Sequence, residues 1–179
     1  MLFAAGNGHH AWPGSMREVL SIGGVFSDAA GQLKASNYAS GFVSSLYPGR
    51  QVPDISGLCG ERPRAVYIMM PCPPGSSMDQ ELSSGIFPDG DETGPNDGWV
   101  GASGTSRATP QIAGVAALLL EQARSKSRTL TTDQVRNLLQ ATGVRVEKGQ
   151  NAQGFPAVGH PNIAVGYGLV DAGAALAKI

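Results

Sequence analysis

Charge is scarce in this sequence. Of 179 residues only 15% are Asp, Glu, Lys or Arg, and the formal net charge is −1. No cluster of Lys and Arg occurs, so the chain has no electrostatic footprint for nucleic acid, and no nucleic-acid partner is expected. No apolar run approaches the roughly 18 residues of a membrane span, and none is expected. The short apolar stretch at the start has no basic region before it and does not read as a signal peptide. Cysteine is limited to Cys59 and Cys72. That excludes a multi-disulfide framework and leaves one bridge or two free thiols equally open. Also missing are CxxC, HExxH, a Walker loop and GxSxG, and with them the common redox, zinc-protease, nucleoside-triphosphate and α/β-hydrolase signatures.

Glycine and proline are plentiful, at 25 and 12 residues, while aromatics make up only 6%. Low charge with abundant small residues suits one tightly packed α/β domain with many turns. Residues 1–5 read as a buried strand ending at Gly6, and residues 19–26 (VLSIGGVF) as a second one. Residues 28–31 read as a turn. Residues 51–55 and 65–70 (AVYIMM) are further strand candidates. Residues 71–104 are rich in Pro, Gly, Asp and Ser, and are expected to form a long surface loop or a hairpin with an insertion at its tip. The pattern then becomes helical. Residues 108–124 are apolar nearly all round until Glu121, which predicts a helix buried within the domain. Residues 130–142 predict an amphipathic helix capped by Thr131 or Thr132 and stopped at Gly143. A short Ala-rich helix is expected from Asp171.

Gly6-Asn7-Gly8 has the spacing of a dinucleotide-binding loop. Such a loop must open directly into a helix whose N-terminus holds the pyrophosphate, but Trp12-Pro13-Gly14 would break one. The acidic residue required about 20 residues on is also missing, since Asp28 lies in a turn. His9 and His10 point to opposite sides of an extended chain, with no further ligand at metal spacing, and read as solvated loop residues. The role of Asn7 stays open on these grounds.

Gly104-Thr105-Ser106-Arg107-Ala108-Thr109-Pro110 stands immediately before the apolar helix. The plain reading is an N-cap by Thr or Ser. A second reading notes that a serine at a helix N-terminus sits in a field that favours developing negative charge, and that a cap alone does not need Gly104, Ala108 and Pro110 together.

GTSRATPQIAGVAALLL resembles the nucleophile segment of the subtilisin-like serine proteases, or subtilases, and AAGN at residues 4–7 resembles their oxyanion-hole strand. The segments WPGSMREVLSIGGV, ASNYASG, VPDISG and GYGLVDAGAAL follow the family's order, so the likeness runs from residue 1 to 179 as one catalytic-domain portion, with an enlarged Pro/Gly/acidic loop region at 58–103. It implies a three-layer α/β fold with a mainly parallel sheet, of which this would be the C-terminal portion. It implies Ser106 as the nucleophile of an endopeptidase and Asn7 as side-chain donor to the oxyanion, with Ala4, Ala5 and Gly6 along one wall of the substrate pocket. The substrate would be a peptide or protein, no cofactor would be required, and a secreted protein is favoured. The family's Asp and His would precede residue 1, and neither His9, His10 nor His160 matches the histidine segment. A complementary N-terminal segment carrying both is therefore the implied partner. Without it, this half is expected to expose an apolar sheet edge and a helix face. An inactive subtilase-like scaffold or binding module is the non-enzyme alternative. A sedolisin-type peptidase is another, disfavoured because that group places an acid where Asn7 stands.

Two loose ends remain. Asp89, Asp91 and Asp97 alternate with Gly and Asn in the acidic loop and are calcium candidates, against a reading as a solvated turn. Many subtilases bind calcium. A disulfide between Cys59 and Cys72 would close the loop before the nucleophile.

Overall fold

The computed structural model describes residues 1–64, 66–86 and 88–179. Its main sheet is organised around one strand, β2 (Leu20–Ser27). Along its first half, β2 pairs in parallel with β1 (Leu2–Ala4), in the register Leu2↔Leu20 to Ala4↔Ile22. Along its second half it pairs antiparallel with β3 (Leu33–Ala35). The parallel strand β6 (Ile55–Leu58) takes the other side, from Ile22↔Ile55 to Val25↔Leu58. The sheet is thus mainly parallel, as expected. The turn at 28–31 is also present, with the Asp28 carboxylate accepting from the N–H groups of Ala30 and Gln32.

Period-two alternation along β2 sends Leu20 and Ile22 to one face and Val25 to the other. On the first face they meet Ile112, Val115 and Leu119 of α2 (Thr105–Ser125) in the largest apolar cluster. Val25 joins Val146, Ala157, Ala164 and Val165 on the opposite face. That layer is made by irregular chain between α3 (Thr132–Thr142) and α4 (Ala172–Leu176). Burying Ile112 and Leu119 completely stabilises the packing by roughly 1.5–3 kcal/mol each, as an upper estimate.

Local signals explain most element ends. Thr131 caps α3 through a capping box, its hydroxyl accepting from the Gln134 N–H while the Gln134 side chain accepts from the Thr131 N–H. Asp171 caps α4 by accepting from the Ala174 N–H. The segment expected to be one strand at 51–55 is instead two. β5 (Gln51–Val52) pairs with β4 (Phe42–Val43) in a separate two-stranded sheet, and the chain enters the main sheet only at Ile55. Pro53, which has no N–H to give a ladder, stands at the break.

The candidate strand at 65–70 lies later, as β7 (Ile68–Pro71), and Ala65 falls outside the described residues. β7 pairs antiparallel with β8 (Trp99–Ala102), in the register Ile68↔Ala102 to Pro71↔Trp99. The loop expected at 71–104 is therefore a hairpin with an insertion at its tip, and that insertion holds a short helix, α1 (Ser77–Leu82).

The expectation of an all-round buried helix does not hold for α2. Its buried positions, Ala108, Ile112, Val115, Leu119 and Ala123, form one stripe, while Ala113 and Ala117 are exposed and Leu118 is 50% exposed. The reason is packing: among the described residues, the elements against α2 are the sheet, α3 and α4, and they cover a single face. Met1 is 79% exposed, and β1 pairs only with β2 among the described residues. The predicted open sheet edge and helix face are both present. An apolar groove of about 320 Å³ lies among β1, α2 and α3, lined in part by Met1, Leu2, Leu120, Leu130 and Val135.

Candidate active site

β1 ends where Gly6 takes φ +113°, a conformation in which a Cβ would come within 2.5 Å of the His9 carbonyl oxygen. The chain turns there, and Asn7 emerges exposed. About a hundred residues later β8 ends at Ala102, and Gly104 (φ +125°) leads into α2. A Cβ on Gly104 would lie 3.3 Å from Asn7 Nδ2, so glycine lets the two segments close up.

Thr105 joins them. Its N–H donates to Asn7 Oδ1 at 3.0 Å, and its hydroxyl lies 3.0 Å from the same oxygen and 3.2 Å from the Gly6 carbonyl. The Gly6 N–H donates back to that hydroxyl at 3.3 Å. Because a backbone N–H needs an acceptor, this network determines which way the Asn7 amide faces: Oδ1 is held by Thr105, and Nδ2, with two hydrogens, is left to donate elsewhere. Thr105 is fully buried and is the residue that sequence reasoning missed. Its only sequence signal was its place in the GTS triplet.

Ser106, by contrast, is exposed, and its hydroxyl is in no hydrogen bond among the described residues. The N-cap position of α2 is Gly104, with no side-chain cap. Ser106 is therefore not the capping residue that the plain reading expected. Its N–H is one of the unpaired donors at the helix N-terminus, where the helix field favours negative charge. Pro110, four residues on, has no N–H to give the Ser106 carbonyl, and Thr109 instead donates its hydroxyl to the Thr105 carbonyl at 2.8 Å.

Two further contacts hold this helix start against the sheet. Gln111 forms a two-way amide pair with the Leu58 backbone at the end of β6, accepting from its N–H at 3.0 Å and donating to its carbonyl at 2.9 Å. The next carbonyl, that of Cys59, accepts from the Gly104 N–H at 3.2 Å and from the Tyr38 hydroxyl. Burial pushes the Tyr38 phenol well above its ordinary value, so it remains a donor.

The other sequence candidates lie in varied settings. Ala5 is fully buried against Phe42 and Val52, and Gly6 is buried too. Of the three proposed wall residues only Ala4 keeps side-chain exposure, so any wall there is mainly backbone. His9 and His10 are exposed, with His10 stacked on Phe42 at 3.9 Å, and His160 packs edge-on to Tyr167. No histidine is hydrogen-bonded to Ser106 among the described residues.

In the acidic loop, Asp91 accepts from the Thr93 N–H and hydroxyl and from the Gly101 N–H, and Asp97 accepts from the N–H groups of Gly94 and Trp99. Asp89 is exposed. Among the described residues no three His, Cys, Asp or Glu side chains group closely enough to hold a metal ion. Each of the four carboxylate oxygens of Asp91 and Asp97 thus accepts from a backbone N–H. Cys59 and Cys72 are both free thiols, the first buried and the second partly so.

Comparison with known proteins bears on the family and the fold. The sequence model of the subtilase family (peptidase S8) matches residues 1–168. No curated protein sequence matches. Among solved structures, a lanthipeptide protease is similar over 99% of this chain and 50% of its own, at 22% identity and a TM-score of 0.62. Fervidolysin from Fervidobacterium pennivorans, a keratinolytic enzyme related to subtilisin, is similar over 99% of this chain and 22% of its own, at 24% identity and a TM-score of 0.61. The CspB protease of Clostridium perfringens follows at 21% identity and a TM-score of 0.58, over 94% and 28%. The chain thus spans half or less of the length of these neighbours, which share with it a subtilisin-like fold. On its sequence match and its fold, the chain belongs to the subtilase family.

Proposed function

We propose that this chain supplies the nucleophile and the oxyanion donors of a serine endopeptidase. The observation that carries the reading is the Thr105 clamp on Asn7 Oδ1, which leaves the Asn7 amide N–H2 free beside the unpaired Ser106 N–H. In this reading Ser106 Oγ attacks the carbonyl carbon of a peptide bond. Its proton passes to a histidine base, and the carbonyl oxygen gains the negative charge. The two N–H donors stabilise that oxyanion. Collapse of the adduct breaks the C–N bond, the base returns the proton to the leaving amine, and water then hydrolyses the acyl-enzyme.

The base and its orienting acid come, in this reading, from a complementary N-terminal segment carrying His and Asp. The open β1 edge, the exposed face of α2 and the apolar groove among β1, α2 and α3 support such a partner. No cofactor enters the scheme. We read Asp91 and Asp97 as structural carboxylates.

Fluorophosphonate labelling tests the proposal, on this chain alone and with the Asp- and His-bearing segment supplied. Ser106 is expected to label only when the segment is present, and Ser106→Ala to abolish the label. Labelling of the isolated chain would place a base within it. No labelling in either form would favour the scaffold reading, to which the unpartnered Ser106 hydroxyl lends some support.

A further inference from the structure

A second recess adjoins Asn7. It has a volume of about 370 Å³ and runs from Asn7, Ser103 and Gly104 to Glu81, Leu82 and Asp89 on the insertion between β7 and β8. None of Ala4, Ala5 and Gly6 lines it. Resting on the peptidase reading above, we propose that this recess receives the substrate residue on the leaving-group side of the scissile bond, and that Glu81 and Asp89 select a basic side chain there.

The position follows from what borders the recess. It touches the proposed oxyanion donor and the residues leading into the proposed nucleophile, yet avoids the 4–6 segment that the family resemblance sets beside the residue before the scissile bond. The selectivity follows from charge. Glu81 and Asp89 are exposed, and among the described residues neither is in an ion pair or a side-chain hydrogen bond. Asp91, also on the wall, is buried; desolvation works to raise its pKa, but hydrogen bonds from Thr93 and Gly101 outweigh that and keep it ionised. Among the described residues the one cation on the wall is Arg62, which lies over the Tyr38 ring at 5.7 Å. Three carboxylates therefore face one guanidinium, and the apolar surface of Leu82 and Val66 beside them concentrates their field. An acidic substrate side chain would be repelled, and a neutral one would desolvate the carboxylates without compensation.

The test is cleavage of a peptide mixture by this chain together with its Asp- and His-bearing segment, run beside Ser106 labelling. Lys or Arg directly after the cleaved bond is expected to be preferred over Gln by roughly fivefold at low salt, the scale of partly exposed charge pairs, and the preference should shrink in high salt. The double substitution Glu81→Gln and Asp89→Asn should bring the ratio to about one. Both residues are exposed, so thermal melting of the double variant checks that the fold is kept. Cleavage with Ser106 labelled but no basic preference would overturn the proposal and leave the peptidase reading standing. So would a preference that survives both substitutions, or one confined to the residue before the bond. No labelling and no cleavage would remove the peptidase reading, and this proposal with it.

Discussion

Asn7 Oδ1 accepts from both the N–H and the hydroxyl of Thr105, each at 3.0 Å, across 98 residues of chain. One residue thus aims the amide of another, and removing it should cost function more than stability. Thr105→Val keeps the volume and the N–H but loses the hydroxyl. With the complementary segment present it is expected to lower kcat by roughly tenfold, with KM little changed. Asn7→Ala should cost about 10²–10³ in kcat, a magnitude taken from subtilisin, a relative in the same family. Steady-state kinetics on the two variants, with labelling rates as a second readout, would check the ranking. A Thr105→Val loss that exceeds the Asn7→Ala loss, or that adds in full to it in the double variant, would mean that Thr105 does not act through Asn7.

Gln111 satisfies both backbone groups of Leu58. Gln111→Leu would leave a part-buried N–H and C=O unpaired and is expected to destabilise the chain by about 2–4 kcal/mol. Gln111→Glu can still accept from the Leu58 N–H but brings a carboxylate against the carbonyl, and should fall in between. Urea unfolding midpoints measure both.

Much of this was legible beforehand, and the misses have physical causes. The ends of α3 and α4 were readable because Thr131 and Asp171 are local caps whose partners lie three residues away. Asn7 and Ser106 stood out through their flanking residues, and the fold brings the Asn7 segment against the start of α2. Thr105 was not, because its partner is 98 positions distant and a buried Thr before a helix looks like any capping residue. The exposed side of α2 was misjudged for a related reason. Periodicity reports which side chains avoid water, but not which surface is there to cover them.

Acid should loosen the β7–β8 hairpin through Asp91. Its folded pKa lies below the ordinary carboxylate value, since the Thr93 and Gly101 bonds outweigh desolvation. The stability it contributes is therefore complete above the unfolded value of about 3.9 and is lost as pH falls through the lowered folded value. Asp91→Asn should flatten the loss below about pH 4 while lowering stability at neutral pH. Thermal melts between pH 7 and pH 2.5 would show it.

The two thiols should differ in access. Cys59 is fully buried, and its pKa is pushed up by that burial; that of Cys72 is raised as well, first by desolvation and then by the charges of Asp79 and Asp97. A thiol reagent at pH 8 is expected to modify Cys72 slowly and Cys59 only after unfolding in urea. Mass spectrometry with and without reductant should give the same mass.

Calcium is expected to leave the melting midpoint where a chelator leaves it, because Asp91 and Asp97 are engaged by backbone donors. A rise of several degrees with calcium would return the loop to the list of hard-cation sites.

Among the described residues, none of the hydrogen bonds that tie Asn7 to the start of α2 comes from residues 72–98, which lie beyond the four-pair ladder between β7 and β8. A nick in that tip would leave both halves gripped by the ladder, by α2 against β1, β2 and β6, and by the Gln111–Leu58 pair. The chain can therefore be opened there and still behave as one body. For the same reason the tip can host new termini or a foreign segment, altering the rim of the cleft while the bonds around the nucleophile stay in place.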